Sequence, residues 1–228
     1  MKLSTGAEMR VTGPVDECAV VCVNGGQARE VDGTWSASIE WLVNELAPRF
    51  PQLGFGEVRY RVKSWRRLDL CVEDGRAAVQ AIGAPRIVLL GFSMGGAVSV
   101  AIADEPAVEE VVGLAPWIPD QLDVTTLRGK RLTVLHGAFD RWLPLIPGVS
   151  ASLSRKGYER ARERGAEGRY ELIPGAFHGV ALRSPWGKLV KLPKADRWVE
   201  LVEAELRRFT TSLPAAGDDV RADLPTAS

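Results

Sequence analysis

Residues 86–96 read RIVLLGFSMGG, and the run changes character twice. Residues 87–90 are four apolar side chains, most of them branched, which is the composition of a short buried strand. Gly91-Phe92-Ser93-Met94-Gly95 then interrupts them before Ala97-Val98-Ser99-Val100-Ala101 resumes as a helix former. A strand, a sharp turn and a helix therefore follow one another. Glycine on both flanks of Ser93 lets the turn tighten without a side chain striking the neighbouring strand or helix. Such a turn exposes one hydroxyl at the rim of a sheet. It also sets Ser93 at a helix N-terminus, where free backbone N–H groups and the helix dipole favour a developing negative charge. These are the requirements of a serine nucleophile held on an elbow. The competing reading of the same residues is a helix N-cap serine after an ordinary strand.

On the N-terminal side of this stretch, residues 18–23 (CAVVCV) are apolar on both faces, as in a parallel strand covered by helices, and they stop at Asn24-Gly25-Gly26. Residues 7–13 suit a short edge strand. Thr34-Trp35-Ser36 precedes Ile39, Trp41, Leu42, Val43 and Leu46, which recur at helical spacing up to Pro48. Residues 55–65 (FGEVRYRVKSW) alternate in their first half like a more exposed strand, and residues 68–82 form an amphipathic pattern closed by Gly83 and Pro85. On the C-terminal side, strands are predicted over 108–114, 132–135 and 169–173, a charged helix within 147–165 and a last amphipathic helix over 198–209.

Strands alternating with helices predict an α/β fold, a mostly parallel sheet with helices on both faces. Right-handed crossovers bring the carboxyl ends of such strands to one edge, where ligands bind. Asn24-Gly25-Gly26, Ser93, Pro116-Trp117, Asp140 and His178 each lie just past a predicted strand, so one rim should gather all five features.

A serine hydroxyl needs a base to take its proton during attack. The chain holds two histidines. His178 sits in a loop bracketed by Gly175 and Gly179 and is the expected base; His136, at the end of a buried strand, suits a structural or hydrogen-bonding role. The carboxylate that would orient the imidazole is expected at Asp140, with Asp120 and Asp123 as fallbacks. The N–H of Met94 is a natural oxyanion donor, and the loop of Gly25, Gly26 and Gln27 should supply a second, most readily from Gly26. Trp35, Trp117, Trp142 and Trp186 fall near the same rim. Trp35, Trp117 and Trp142, with Gly25 and Gln27, are taken as substrate-binding candidates; packing against the sheet end is the other fate open to each aromatic.

GFSMGG, HGAFDRWLP and PGAFHG, in that order and with this strand and helix rhythm, resemble the α/β-hydrolase superfamily, particularly the small lidless esterases related to carboxylesterases and dienelactone hydrolases. The resemblance covers nearly all of residues 18–210. It implies an α/β-hydrolase fold with no large cap domain, and the triad Ser93, Asp140 and His178. Two departures stand out. Many members carry His-Gly after the first central strand where this chain has Asn24-Gly25, and many carry a helical cap where residues 115–131 leave room only for a loop or one helical turn. The insertion 180–194, with Trp186, Leu189 and Leu192, is a candidate shield on one side of an otherwise open entrance.

The expected chemistry is hydrolysis of small carboxylic esters or thioesters through an acyl-enzyme. Transfer of the acyl group to an alcohol, amine or peroxide, and a catalytically silent binding protein, are the alternatives. The 228 residues (24.8 kDa) are read as one domain over 1–211, with a tail, 212–228, expected to be poorly ordered. Lys plus Arg and Asp plus Glu are each 29, so no net charge draws the chain to nucleic acid or an anionic membrane, and a small molecule is the expected partner. Cys18, Cys22 and Cys71 lack metal-ligand spacing and read as buried free thiols; no metal or organic cofactor is expected. The N-terminal stretch has no apolar run of signal-peptide length, and a cytoplasmic location is expected.

Overall fold

The computed structural model describes residues 1–140 and 148–212. Its centre is a seven-stranded sheet built from β1 (Glu8–Thr12), β2 (Cys18–Val23), β3 (Gly54–Arg59), β4 (Arg86–Phe92), β5 (Val108–Leu114), β6 (Arg131–Gly137) and β7 (Glu167–Ile173). In space the order is β1-β3-β2-β4-β5-β6-β7; β1 runs antiparallel to β3 and every other pair is parallel. This is the arrangement expected of an α/β-hydrolase fold, and the described residues include no large cap. A short antiparallel hairpin, β8 (Ala181–Arg183) and β9 (Leu189–Lys191), stands apart from the sheet.

Period-two alternation in the central strands divides the core. Ala19, Val21 and Val23 of β2 and Ile87 and Leu89 of β4 face one side, where α2 (Leu68–Ile82), α3 (Met94–Ala101) and α4 (Ala151–Glu163) pack. Cys18, Val20, Cys22, Val88 and Leu90 face the other, against α1 (Ala37–Leu46) and α5 (Ala195–Thr211), with Trp198 and Phe209 of α5 fully buried there. All three cysteines are buried and free.

The strand order reverses between β2 and β4: β2 leads outward to β3 on one side, β4 to β5, β6 and β7 on the other. Ligands of open α/β sheets bind outside the carboxyl ends of the strands at such a point. Asn24 follows β2 and Ser93 follows β4, so both lie at the switch. Between β5 and β6 the chain forms only the 3-10 turn Thr125–Leu127, which leaves this edge uncovered from that side. Among the described residues no helix is long and apolar enough to cross a membrane.

Candidate functional site

Ser93 joins β4 to α3 with φ 55 and ψ −117, a left-handed backbone that a non-glycine residue adopts only where its surroundings enforce it. The enforcement is visible on both sides. A Cβ on Gly91 would fall against the carbonyl of Gly95, and one on Gly95 against the carbonyl of Val23 in β2, so both glycines are steric necessities of the tight turn. Below it, the Ser93 N–H donates to the Leu114 carbonyl (2.9 Å), and the Ser93 carbonyl accepts from the N–H of Trp117 (2.8 Å). Ser93 takes the N-cap position of α3, but its hydroxyl makes no capping bond and hydrogen-bonds no described residue, so the side chain does not serve as a cap. Met94 is the first residue of α3, so its N–H has no acceptor within the helix.

The loops after β6 and β7 are stitched to each other. Ala138 N–H donates to Ile173 O (3.0 Å) and Phe139 N–H to Ala176 O (2.8 Å), while Gly175 and Gly179 turn through positive φ. The result brings Asp140 and His178 together: Nδ1 of His178 lies 2.7 Å from Oδ2 of Asp140, with both residues buried. Oδ1 of Asp140 accepts the Val149 N–H at 2.6 Å. Since an ionised carboxylate only accepts, Nδ1 of His178 carries the proton, and Nε2 is left as the nitrogen with a free lone pair. The imidazole packs at 5.0 Å, centroid to centroid, on Phe92. Ser38 of α1 secures the chain beyond it, accepting from Val180 N–H (3.0 Å) and donating to Ala181 O (3.1 Å).

The second histidine sits behind this pair. His136 donates from Nε2 to the Val149 carbonyl (3.0 Å), and that nitrogen is 3.3 Å from Oδ2 of Asp140. Its Nδ1 faces Ser154 Oγ (2.9 Å), which in turn meets the Tyr170 hydroxyl (3.0 Å). Burial pushes the His136 imidazole below its usual pKa, against the pull of Asp140, so it stays neutral and Ser154 donates to it. Ser154, His136 and Asp140 have the composition of a triad, yet Ser154 and His136 are each 0% exposed and no substrate reaches them. Ser93, by contrast, is half-buried and opens onto two cavities.

One cavity, of about 200 Å³, is lined by Ser93 and His178 together with Gly25, Gly26, Trp35 and Lys63, among others. The other, of about 400 Å³, is lined by Ser93, Met94, Trp65, Trp117, Val149 and Leu153, among others. The fallback carboxylates are elsewhere: Asp120 pairs with Lys156 at 2.7 Å on the surface, and Asp123 caps Thr125 N–H at 2.8 Å. Gln27 lines neither of these cavities, and its backbone carbonyl accepts the Trp65 N–H at 3.1 Å. Trp186, in the turn between β8 and β9, is 85% exposed and shields nothing; Ala181, Leu182 and Arg183 of the hairpin reach the smaller cavity instead. Trp142 lies outside the described residues, as does the tail from 213 onward.

Lys63 and Trp65 were not expected at the site. They follow β3, where a bridge between Asp32 and Val62 and a bond from Lys63 N–H to Val31 O (2.8 Å) fold the chain back across the loop that follows β2. Among the described residues no cluster of three or more His, Cys, Asp or Glu could hold a metal ion.

A model of the alpha/beta hydrolase family matches residues 20–227. The chain matches no curated protein in sequence. Among solved structures it is similar to a sugar hydrolase from Lactococcus lactis (TM-score 0.68, 16% identity, 94% of this chain and 98% of that one). It is also similar to an α/β serine hydrolase without lid from Xanthomonas campestris (TM-score 0.63, 15% identity, 94% and 95% covered). An esterase from Exiguobacterium antarcticum aligns with TM-score 0.61 and 13% identity over 90% of this chain and 98% of that one. At these identities the likeness is one of fold.

Proposed function

Since the chain belongs to the alpha/beta hydrolase family, we propose that it is a serine esterase that cleaves small carboxylic esters or thioesters through an acyl-enzyme on Ser93. The observation that carries this reading is the carboxylate–imidazole pair of Asp140 and His178, at 2.7 Å, whose imidazole lines the same cavity as Ser93, a serine whose hydroxyl bonds no described residue.

In this reading Ser93 Oγ attacks the ester carbonyl carbon while Nε2 of His178 takes its proton. Asp140 keeps the proton on Nδ1 and stabilises the imidazolium that forms. The hydroxyl and imidazole close to hydrogen-bond distance in the substrate complex, a tightening common where the free enzyme holds the pair loosely. The oxyanion accepts from Met94 N–H, with Gly26 N–H as the second donor; a Cβ on Gly26 would strike the Met94 side chain, so the two donors' residues are in close approach. His178 then protonates the leaving oxygen or sulfur, and water, activated by the same imidazole, releases the acid. The lidless serine hydrolase from Xanthomonas shares the fold, which agrees with an entrance that needs no cap.

The test is intact-protein mass spectrometry after a fluorophosphonate probe, alongside turnover of p-nitrophenyl butyrate. One adduct per chain that disappears in Ser93→Ala, together with loss of turnover, supports the assignment. Labelling and turnover undiminished in Ser93→Ala would sink it.

A further inference from the structure

The two cavities that meet at Ser93 differ in chemistry. The larger presents Trp65, Met94, Trp117, Val149 and Leu153 beside Ser93, Gly148 and Ser150, and no charged side chain. The smaller is shared by His178 and Gly26 with two cations, Lys63 and Arg183. Arg183 is already engaged, with Glu40 at 2.8 Å and the Gly187 carbonyl at 3.1 Å. Lys63 is not. Its ammonium has Thr34 Oγ1 at 3.1 Å and, among the described residues, no carboxylate within ion-pair distance.

Lys63 is also held in place. Its own N–H is bound to Val31 O, and the neighbouring Trp65 N–H to Gln27 O, so the backbone that carries it is tied to the loop after β2. Partial burial lowers its pKa from the usual lysine value, with no described carboxylate beside it to raise it. Desolvating a charge is unfavourable unless it finds a partner. The cavity that His178 lines therefore holds a positive charge that no described carboxylate matches.

Direction follows from proton transfer. His178 must hand its proton to the leaving group, so the leaving group lies on the imidazole side, in the small cavity, and the acyl chain occupies the large one. Resting on the esterase reading above, we propose that Lys63 binds a carboxylate carried on the leaving group of the substrate, so that the preferred esters join an apolar acyl chain to an anionic alcohol or thiol.

The probes are 4-carboxyphenyl butyrate and its neutral isostere 4-carbamoylphenyl butyrate, compared by kcat/KM. The ratio of the two in a variant, divided by that in the parent, cancels their intrinsic reactivities. Lys63→Gln should lower the carboxylate-to-amide ratio by about ten- to a hundredfold, the scale of a charge-assisted contact. In the parent enzyme the ratio should also fall as salt screens the attraction, a measurement that needs no variant to fold. A ratio that neither Lys63→Gln nor salt changes would overturn the anionic subsite while leaving the esterase reading intact. Failure of the parent to turn over either ester would count against the esterase reading itself.

Discussion

Nδ1 of His178 lies 2.7 Å from Oδ2 of Asp140, although 38 residues separate them in the chain. The contact depends on the loops after β6 and β7, adjacent strands whose last pairing is Gly137 with Ile173. It holds one proton on the buried nitrogen and leaves the other nitrogen free to act as a base.

Asp140→Asn tests that dependence. The Val149 N–H would keep the amide oxygen at the Oδ1 position, which turns the NH₂ group toward His178. An N–H facing Nδ1 selects the tautomer protonated on Nε2, and the base is lost. We expect kcat for p-nitrophenyl butyrate to fall by about four orders of magnitude while the fold survives, read by steady-state kinetics beside circular dichroism. A loss of less than about tenfold would mean that Asp140 does not orient the base.

Ser154→Ala separates the buried hydroxyl from the accessible one. Ser154 donates to His136 Nδ1 at 2.9 Å, and its removal leaves that nitrogen unsatisfied in the interior. The expected cost is about 1–3 kcal/mol of stability, measured by urea unfolding. Fluorophosphonate labelling should remain on Ser93, because Ser154 is 0% exposed. An adduct that moved away with Ser154→Ala would transfer the nucleophile's role to the interior.

His136 makes stability depend on pH. Unfolded, its imidazole titrates near the ordinary 6.5; folded, burial holds it lower. Between the two values the unfolded chain binds more protons, so stability is full above the unfolded value and is lost as pH falls toward the folded one. The limiting slope for one such group is about 1.4 kcal/mol per pH unit. Glu203 and Glu205, whose pKa values are lowered from 4.5, act only at more acid pH. His136→Gln should therefore flatten the decline in urea midpoint between about pH 7 and 5. An identical decline in the variant would assign the acid sensitivity elsewhere.

Legibility in the sequence follows from how local each constraint is. Runs such as CAVVCV and IVLL carry apolar residues at every position because both faces of β2 and β4 are covered, so strand and parallel sheet could be read together. Ser93 was legible because the glycines that its turn requires stand two residues away on either side. Lys63 and Trp65 were hidden for the opposite reason. RYRVKSW reads as the end of an exposed strand, but β1 pairs with β3 only as far as Arg59, and beyond it the chain bends to the site through contacts with residues 27–32. Those contacts are set by the loop after β2, which has no periodicity to announce them. Gln27, read from its adjacency to Gly26, takes part in those contacts, its carbonyl holding Trp65.

Acyl length should be read out by the larger cavity. Its volume of about 400 Å³ and its lining by Trp65, Met94, Trp117, Val149 and Leu153 leave room for an apolar chain beyond acetyl. Each methylene buried there contributes about 0.8 kcal/mol, so kcat/KM should rise about fourfold per carbon across p-nitrophenyl acetate, propionate and butyrate. Leu153 lies half-buried on α4 at that wall, outside the contacts that hold Asp140 and His178. Leu153→Trp should fill the space and reverse the trend, so that acetate outruns butyrate in the variant while butyrate leads in the parent. The reversal depends on the acyl group occupying this cavity rather than the one beside His178. If Leu153→Trp lowers all three esters by the same factor, the acyl chain lies on the other side of Ser93 and the direction assigned to the substrate is inverted.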